Sequence, residues 1–127
     1  MEIHESAEDY LEMILMLRER KGYARAIDIA MGLGVSKPSV SYAIKQLREN
    51  GYLWVDKENL INLSDTGEAI AERVYHRHRV LTDCFVALGV NAVTAHTDAC
   101  KVEHDLSEET FQAIAAHARE CGSKKSK

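Results

Sequence analysis

Apolar residues recur at helical spacing near the start of the chain, in the segment AEDYLEMILMLRER. Tyr10, Ile14 and Leu17 fall on one stripe of this run. Ser6 precedes it and Asp9 follows three residues later, a spacing that predicts Ser6 as the N-cap of the helix. The segment therefore predicts a first helix that ends at Lys21-Gly22.

Two more helices and a hairpin are predicted before residue 65. The pattern AIDIAMGL predicts a short helix that Gly34 ends. The pattern VSKPSVSYAIKQLREN predicts a second helix, with Ser36 as N-cap and Pro38 in its first turn. In GYLWVDKENLINLS, β-favouring residues flank Lys57-Glu58-Asn59, which predicts a two-stranded hairpin. This order of elements is that of a winged helix-turn-helix, whose second paired helix enters the DNA major groove.

The second half of the chain is predicted to be all-helical. A long helix is expected from about Asp65 to Gly89, and NAVTAHTDACKVEHD and SEETFQAIAAHAREC predict two more. The fold class is thus mainly α. We expect a winged helix-turn-helix domain with a two-stranded wing at residues 1–64, a helical domain at 65–121 and a disordered basic tail at 122–127.

Composition places this chain among globular proteins. Of its 127 residues, 46% are hydrophobic and 28% are charged. No run reaches the ~18 apolar residues that suggest a membrane span, and the first residues are acidic where a signal peptide is basic. The three cysteines include no close pair, as expected of a reduced protein. We expect a cytoplasmic protein with no membrane partner.

Charge is distributed unevenly along the sequence. The net charge is -4, yet residues 18–57 hold eight bases and four acids, while residues 1–17 hold five acids and no base. A basic middle segment between acidic flanks favours a DNA-reading element joined to a domain of another kind.

The predicted third helix carries the DNA-binding candidates. Its small hydroxyls approach phosphates or base edges closely, its lysines neutralise phosphate charge, and its tyrosine offers a ring to thymine methyls. The predicted DNA-binding residues are Arg25, Ser36, Lys37, Pro38, Ser39, Ser41, Tyr42, Lys45 and the wing residue Lys57. The alternative is a solvated helix face in a winged-helix protein that binds another protein.

Metal-binding side chains cluster in the segment from residue 96 to 104. On a helix, His96, Cys100, Glu103 and His104 fall within an arc of about 100°. Cysteine, carboxylate and imidazole are the side chains that hold transition metals.

The long helix offers one further ligand. Its apolar stripe consists of Ile70, Val74, Leu81, Phe85 and Leu88. His78 falls beside this stripe, whereas His76 points away from it, so His78 is the better ligand candidate.

Several segments together resemble one family. EDYLEMI, DIAMGLGVSKPSV, the hairpin followed by LSDTGE, RHRVL and DACKVEH are similar, in collinear order over roughly residues 5–110, to the diphtheria toxin repressor family of metal-dependent regulators. The chain resembles most its short, two-domain, manganese-responsive branch. The resemblance implies a homodimer that binds a palindromic operator only when a divalent metal is bound.

The resemblance also implies a ligand set. The matched positions are Asp9, Glu12, His78, Cys100, Glu103 and His104. From the residues alone, the two first-helix carboxylates equally fit a solvated helix N-terminus.

This set is a hybrid of two patterns. Manganese-type members carry glutamate where this chain has Cys100, and iron-type members carry methionine where it has Asp9. His96 matches a ligand of an iron-type ancillary site, but Thr82 stands where that site has a glutamate. We expect Mn(II) or Fe(II), with Co(II) or Zn(II) binding in vitro, at one or two ions per subunit.

Two other functions use the same side chains. A metallohydrolase needs an open coordination position, a general base and a substrate pocket, and no spare base accompanies the cluster. A winged-helix regulator with a purely structural zinc ion would unfold when the metal is removed. We expect a metal-dependent repressor of metal-uptake genes that is not an enzyme and has no small-molecule substrate.

Overall fold

A computed structural model describes the backbone of residues 5–125 and the side chains of residues 6–120. Over this range the chain forms six helices and one two-stranded antiparallel sheet, which confirms the mainly α fold class. The elements are α1 (Glu5–Lys21), α2 (Ala26–Leu33), α3 (Lys37–Glu49), β1 (Leu53–Val55), β2 (Ile61–Leu63), α4 (Asp65–Ala87), α5 (Ala92–Val102) and α6 (Glu108–Lys125).

The chain divides into two compact units, residues 1–73 and 74–127. This division falls inside α4, whereas the predicted domain boundary coincides with the first residue of that helix. The C-terminal half of α4 therefore belongs to the same compact unit as α5 and α6.

The first unit is built around α1, which packs against α2, α3 and β2. Its core includes Leu11, Ile14, Ile29, Val40 and Leu47, each at most 1% exposed. These apolar residues recur at helical spacing along α1, α2 and α3, so burying them fixes which face of each helix points outward. The remaining face of α3 is left to solvent.

The turn between α2 and α3 depends on Gly34. Its backbone has φ of 67°, in the left-handed region that glycine adopts without steric cost. The N–H of Val35 then donates to the carbonyl oxygen of Ala30 at 3.1 Å. This tight reversal sets the angle between the two helices of the helix-turn-helix.

The wing is a short hairpin in which Leu53 pairs with Leu63 and Val55 with Ile61. The N–H of Ile61 donates to the carbonyl oxygen of Ala24 at 2.8 Å, which ties the hairpin to the segment before α2. After β2 the chain passes close to the hairpin again. Gly67 lies so near the carbonyl oxygen of Tyr52 that a Cβ at this position would collide with it.

The second unit buries Leu81 of α4, Phe111 of α6 and two small residues of α5, Ala95 and Ala99. Ala95 and Ala99 are fully buried and four residues apart, so neighbouring helices can approach this face of α5 closely. His96 and Cys100, the residues that follow them, then lie beside the buried face.

Three predicted details need correction. Ser6 does not cap α1, because the helix already includes Glu5. Leu88 is 81% exposed, since α4 ends at Ala87 and the next residues turn away. Helix α6 reaches Lys125, so residues 122–125 of the predicted disordered tail are helical, and residues 126–127 lie outside the described range.

Among the described helices, none combines the length and the apolar character needed to cross a membrane.

Candidate DNA-binding surface and metal centre

The exposed face of α3 presents the predicted DNA-binding side chains to solvent. The hydroxyl of Ser36 caps the helix by accepting from the N–H of Ser39 at 3.2 Å, as predicted. Tyr42 is 68% exposed, and Lys45 lies on the same side of the helix. The positive end of the α3 dipole suits this end of the helix to a phosphate.

The predicted DNA-binding residues all lie in the first unit and are all exposed. They are Arg25, Ser36, Lys37, Pro38, Ser39, Ser41, Tyr42, Lys45 and Lys57. Arg25 sits immediately before α2, with its guanidinium 5.5 Å from the ring centroid of Tyr23. Lys57 lies in the turn between the strands of the wing.

A groove between α3 and the wing adds Arg48 and Asn59 to this surface. Lys45 and Arg48 of α3 line it together with Asn59 at the tip of the hairpin. Arg48 is exposed and follows Lys45 by three residues, a spacing that places both on one face and that was available in the sequence. The exposed Trp54 of β1 has no comparable signal in the sequence.

In the second unit, the metal-ligand candidates surround His78. This histidine is only 5% exposed, whereas His76 is exposed and meets Phe111 edge-on, in agreement with the predicted faces of the helix. Nδ1 of His78 donates to Oε2 of Glu103 at 3.0 Å, and Nε2 lies 2.8 Å from Nδ1 of His96. Both ring nitrogens of His78 thus have polar partners.

Cys100 completes the group around His78. Its Sγ lies 3.7 Å from Nδ1 of His78 and 3.9 Å from Nε2 of His96. One ligand atom from each of these three residues lies within 4.8 Å of the others. The structure therefore brings together four predicted candidates from α4, from α5 and from the residue that follows α5, namely His78, His96, Cys100 and Glu103.

The neighbours of His78 favour its charged form. Hydrogen bonding to Cys100, followed by hydrogen bonding to Glu103, raises the pKa of His78 from 6.5 to about 10, although burial acts in the opposite direction. Without a metal, His78 is a cation at neutral pH. An ion that binds this nitrogen must therefore displace a proton.

Glu103 and His104 lie at the end of α5, where the helix gives way to a turn. The Glu103 side chain is fully buried, and its Oε1 has no hydrogen-bond donor among the described residues, with Nε2 of His104 at 3.4 Å. A buried carboxylate oxygen without a donor is costly unless a cation approaches it. Together with the imidazole and thiol donors nearby, this oxygen suits a divalent metal ion.

Arg77 holds the turn that carries these two ligands. Its guanidinium donates to the carbonyl oxygens of Glu103 and Leu106, at 3.1 and 2.9 Å, and to the carboxylate of Glu108 at 2.7 Å. The residue is 8% exposed and its guanidinium lies 5.0 Å from the ring centroid of Phe111. No sequence pattern indicated this role, because two of its partners are backbone carbonyls.

The remaining two candidates, Asp9 and Glu12, belong to α1 in the first unit. They are one turn apart, and Glu12 is 6% exposed while Asp9 is partly exposed. A carboxylate as buried as Glu12 is uncommon on a solvated helix face. Their part in a metal centre stays a prediction.

A winged helix-turn-helix joined to a unit with clustered imidazole, thiol and carboxylate donors defines a metal-responsive DNA-binding regulator. The family models agree with this class. Residues 2–59 match the N-terminal DNA-binding domain of the iron-dependent repressors, and residues 64–123 match their metal-binding and dimerisation domain. The chain belongs to the iron-dependent repressor family; it is a metal-dependent transcriptional regulator and not an enzyme.

Individual relatives lie in the same family. The transcriptional regulator MntR of Bacillus subtilis strain 168 is 37% identical over 109 residues, which are 86% of this chain and 77% of that protein. The crystal structure of IdeR from T. acidophilum superposes with a TM-score of 0.78 at 27% identity, over 92% of this chain and 55% of IdeR. The manganese regulator SloR gives a TM-score of 0.77 at 28% identity, over 89% of this chain and 53% of SloR. The chain spans about half the length of these two solved structures.

Proposed function

We propose that the protein is a homodimeric repressor that binds a palindromic operator when loaded with Mn(II) or Fe(II), and that it controls metal-uptake genes. The observation that carries this proposal is the cluster of His78, Cys100 and Glu103 in a chain whose other unit is a winged helix-turn-helix. Relatives named as manganese regulators support the choice of metal. Because the operator is DNA, we also place the protein in the cytoplasm.

The ligands proposed for the corepressor metal are Asp9, Glu12, His78, Cys100, Glu103 and His104. The ion supplies positive charge among carboxylates that otherwise repel one another. The four ligands of the second unit hold it near the turn fixed by Arg77. The resemblance to the family adds Asp9 and Glu12 of α1 to this set, and these two ligands would link metal binding to the DNA-binding unit.

Dimerisation is supported by apolar side chains near the α4–α5 junction. Val86, Leu88 and Val93 are 45%, 81% and 75% exposed. Large apolar side chains grouped on a surface are typical of protein interfaces. A two-fold dimer presents two copies of α3 to successive major grooves, and such a pair reads an inverted repeat.

The proposal is tested by selecting duplexes from a random-sequence library with the Mn(II)-loaded chain. We expect the selected sequences to share an inverted repeat. Fluorescence anisotropy on the best duplex, run anaerobically with Mn(II), Fe(II), Co(II) or Zn(II), then ranks the metals. Chelator-treated protein that binds this duplex as tightly as loaded protein would overturn metal-dependent repression.

A further inference from the structure

One group of donors in the second unit differs in chemistry from the carboxylates of the proposed centre. His78, His96 and Cys100 offer two imidazoles and one thiol. His96 and Cys100 are one helical turn apart on α5, and His78 faces them from α4. All three belong to one compact unit, so no residue of α1 is needed to bring them together.

The spacing of these donors suits a small tetrahedral ion. Around zinc, with Zn–S near 2.3 Å and Zn–N near 2.0–2.1 Å, adjacent sulfur and nitrogen ligands lie about 3.6 Å apart. Sγ of Cys100 lies 3.7 Å from Nδ1 of His78 and 3.9 Å from Nε2 of His96. The two sulfur–nitrogen separations are therefore close to those of a coordinated ion before any ion binds.

Access to the group is open on one side. His78 is buried, Cys100 is half-buried and His96 is exposed. The exposed imidazole gives an ion a path from solvent and leaves room for a water as fourth ligand. The buried imidazole shares the proton of the same Nδ1 with Oε2 of Glu103, 3.0 Å away, so an ion that binds Nδ1 displaces this proton to solvent and leaves the Glu103 carboxylate beside it.

We propose that His78, His96 and Cys100 form a binding site for zinc or cobalt that lies entirely within the second unit and operates without Asp9 and Glu12. Two imidazoles and a thiolate favour Zn(II) and Co(II) over Mn(II), which prefers oxygen ligands. Cys100 binds as the thiolate and releases its proton to solvent. The inference rests on the proposed metal centre, with which it shares His78 and Cys100, and it names the class of ion that these residues select.

The sharing of His78 and Cys100 has a functional consequence. An ion held by the two histidines and the cysteine occupies ligands that the corepressor metal needs. Zinc and cobalt therefore compete with Mn(II) for the chain, yet they bind without drawing on the carboxylates of α1.

The test is an anaerobic titration of the reduced, metal-free full chain with Co(II), followed by absorption spectroscopy. We expect a thiolate-to-cobalt charge-transfer band in the near ultraviolet, and we expect Zn(II) to bleach it. We expect Cys100→Ser to lack the band and His96→Ala to weaken Co(II) binding by at least about tenfold, as loss of even an outer partner of a metal ligand can do. The exposed histidine of α6 supplies a matched control, His117→Ala, which should titrate like the wild type.

The double variant Asp9→Asn, Glu12→Gln separates this site from the corepressor centre. We expect it to keep the cobalt band while its Mn(II) affinity, measured by electron paramagnetic resonance, falls. Loss of the band in this variant would overturn the inference, and so would a wild-type cobalt complex without the band or unchanged Co(II) affinity in His96→Ala. None of these measurements involves DNA. A failure of the proposed repressor function is therefore detected separately, by the operator-binding assay. Circular dichroism of each variant checks that the helices are retained.

Discussion

In the first unit the functional polar side chains face solvent, whereas in the second they are turned inward and contact one another. Lys45 and Tyr42 project from α3 and are exposed to solvent. His78 and Glu103 are buried and joined by a hydrogen bond, and Arg77 braces the turn beside them. A surface of exposed residues tolerates substitution, while a buried polar cluster has every member depending on the others. The two regions should therefore respond to mutation in different ways.

The largest effect is expected from Glu103→Gln, on the increase in operator affinity that Mn(II) causes. The amide keeps the volume but loses the negative charge that attracts the ion, so Mn(II) should no longer increase operator affinity. Couplings between two binding sites commonly amount to about 5–150-fold in affinity, and we expect that whole gain to disappear. Anisotropy titrations with and without Mn(II) measure it.

The matched control for this variant is Glu109→Gln, which removes an exposed carboxylate from the first turn of α6. It should respond to Mn(II) as the wild type does. A full metal response in Glu103→Gln would show that Glu103 is not a ligand of the metal centre. It would also weaken the contrast between buried and exposed polar groups.

The next largest effect is expected from Arg77→Met, on stability. The substitution leaves the carbonyl oxygens of Glu103 and Leu106 without their donor, and losing such hydrogen bonds from a charged donor costs about 3 kcal/mol. Urea unfolding of the metal-free chain measures the loss, and Mn(II) affinity should fall with it. Arg79→Met, which removes an exposed guanidinium stacked over Tyr75, should cost less than about 1 kcal/mol. Equal losses in the two variants would show that Arg77 has no special part in holding the turn.

Stability of the metal-free chain should also depend on pH through His78. Its pKa is about 10 in the folded chain and near 6.5 when unfolded. The charged imidazole therefore contributes its full stabilisation below pH 6.5, and this contribution is lost as the pH rises toward 10. We expect the stability difference between wild type and His78→Gln to shrink steadily across that range, as followed by urea unfolding. A difference that stays constant with pH would mean that His78 is neutral in the folded protein.

The two regions also differed in how well the sequence predicted them. The DNA-binding unit was predicted almost completely, because helix periodicity, the Ser36 cap and the left-handed Gly34 are local features that neighbouring residues specify. In the second unit, the faces of α4 and α5 were predicted correctly for His78 and Cys100. Their approach to within 3.7 Å depends on how two helices pack, which periodicity does not specify.

What the sequence did not indicate in the second unit has a common physical origin. Arg77 acts through backbone carbonyls that are 26 and 29 residues away, and every residue type carries such a carbonyl. Leu88 was predicted to be buried because it is apolar and in register with the stripe, but its surroundings are solvent. The role of Arg77 and the exposure of Leu88 both depend on the tertiary arrangement and not on the pattern of a single helix.

The smallest effect, and the one that best isolates the exposed surface, is expected from Lys45→Ala. A lysine that neutralises one phosphate contributes about one unit to the slope of log affinity against log salt, so the slope should become shallower by about 1. Lys101→Ala, which removes an exposed lysine from α5 of the second unit, should leave the slope unchanged. Because Lys45 lies on the exposed face of α3 and is not among the proposed metal ligands, the ratio of operator affinities with and without Mn(II) should stay at its wild-type value. A change in that ratio would mean that α3 takes part in metal coupling, and the two regions would then no longer act as separable surfaces of one regulator.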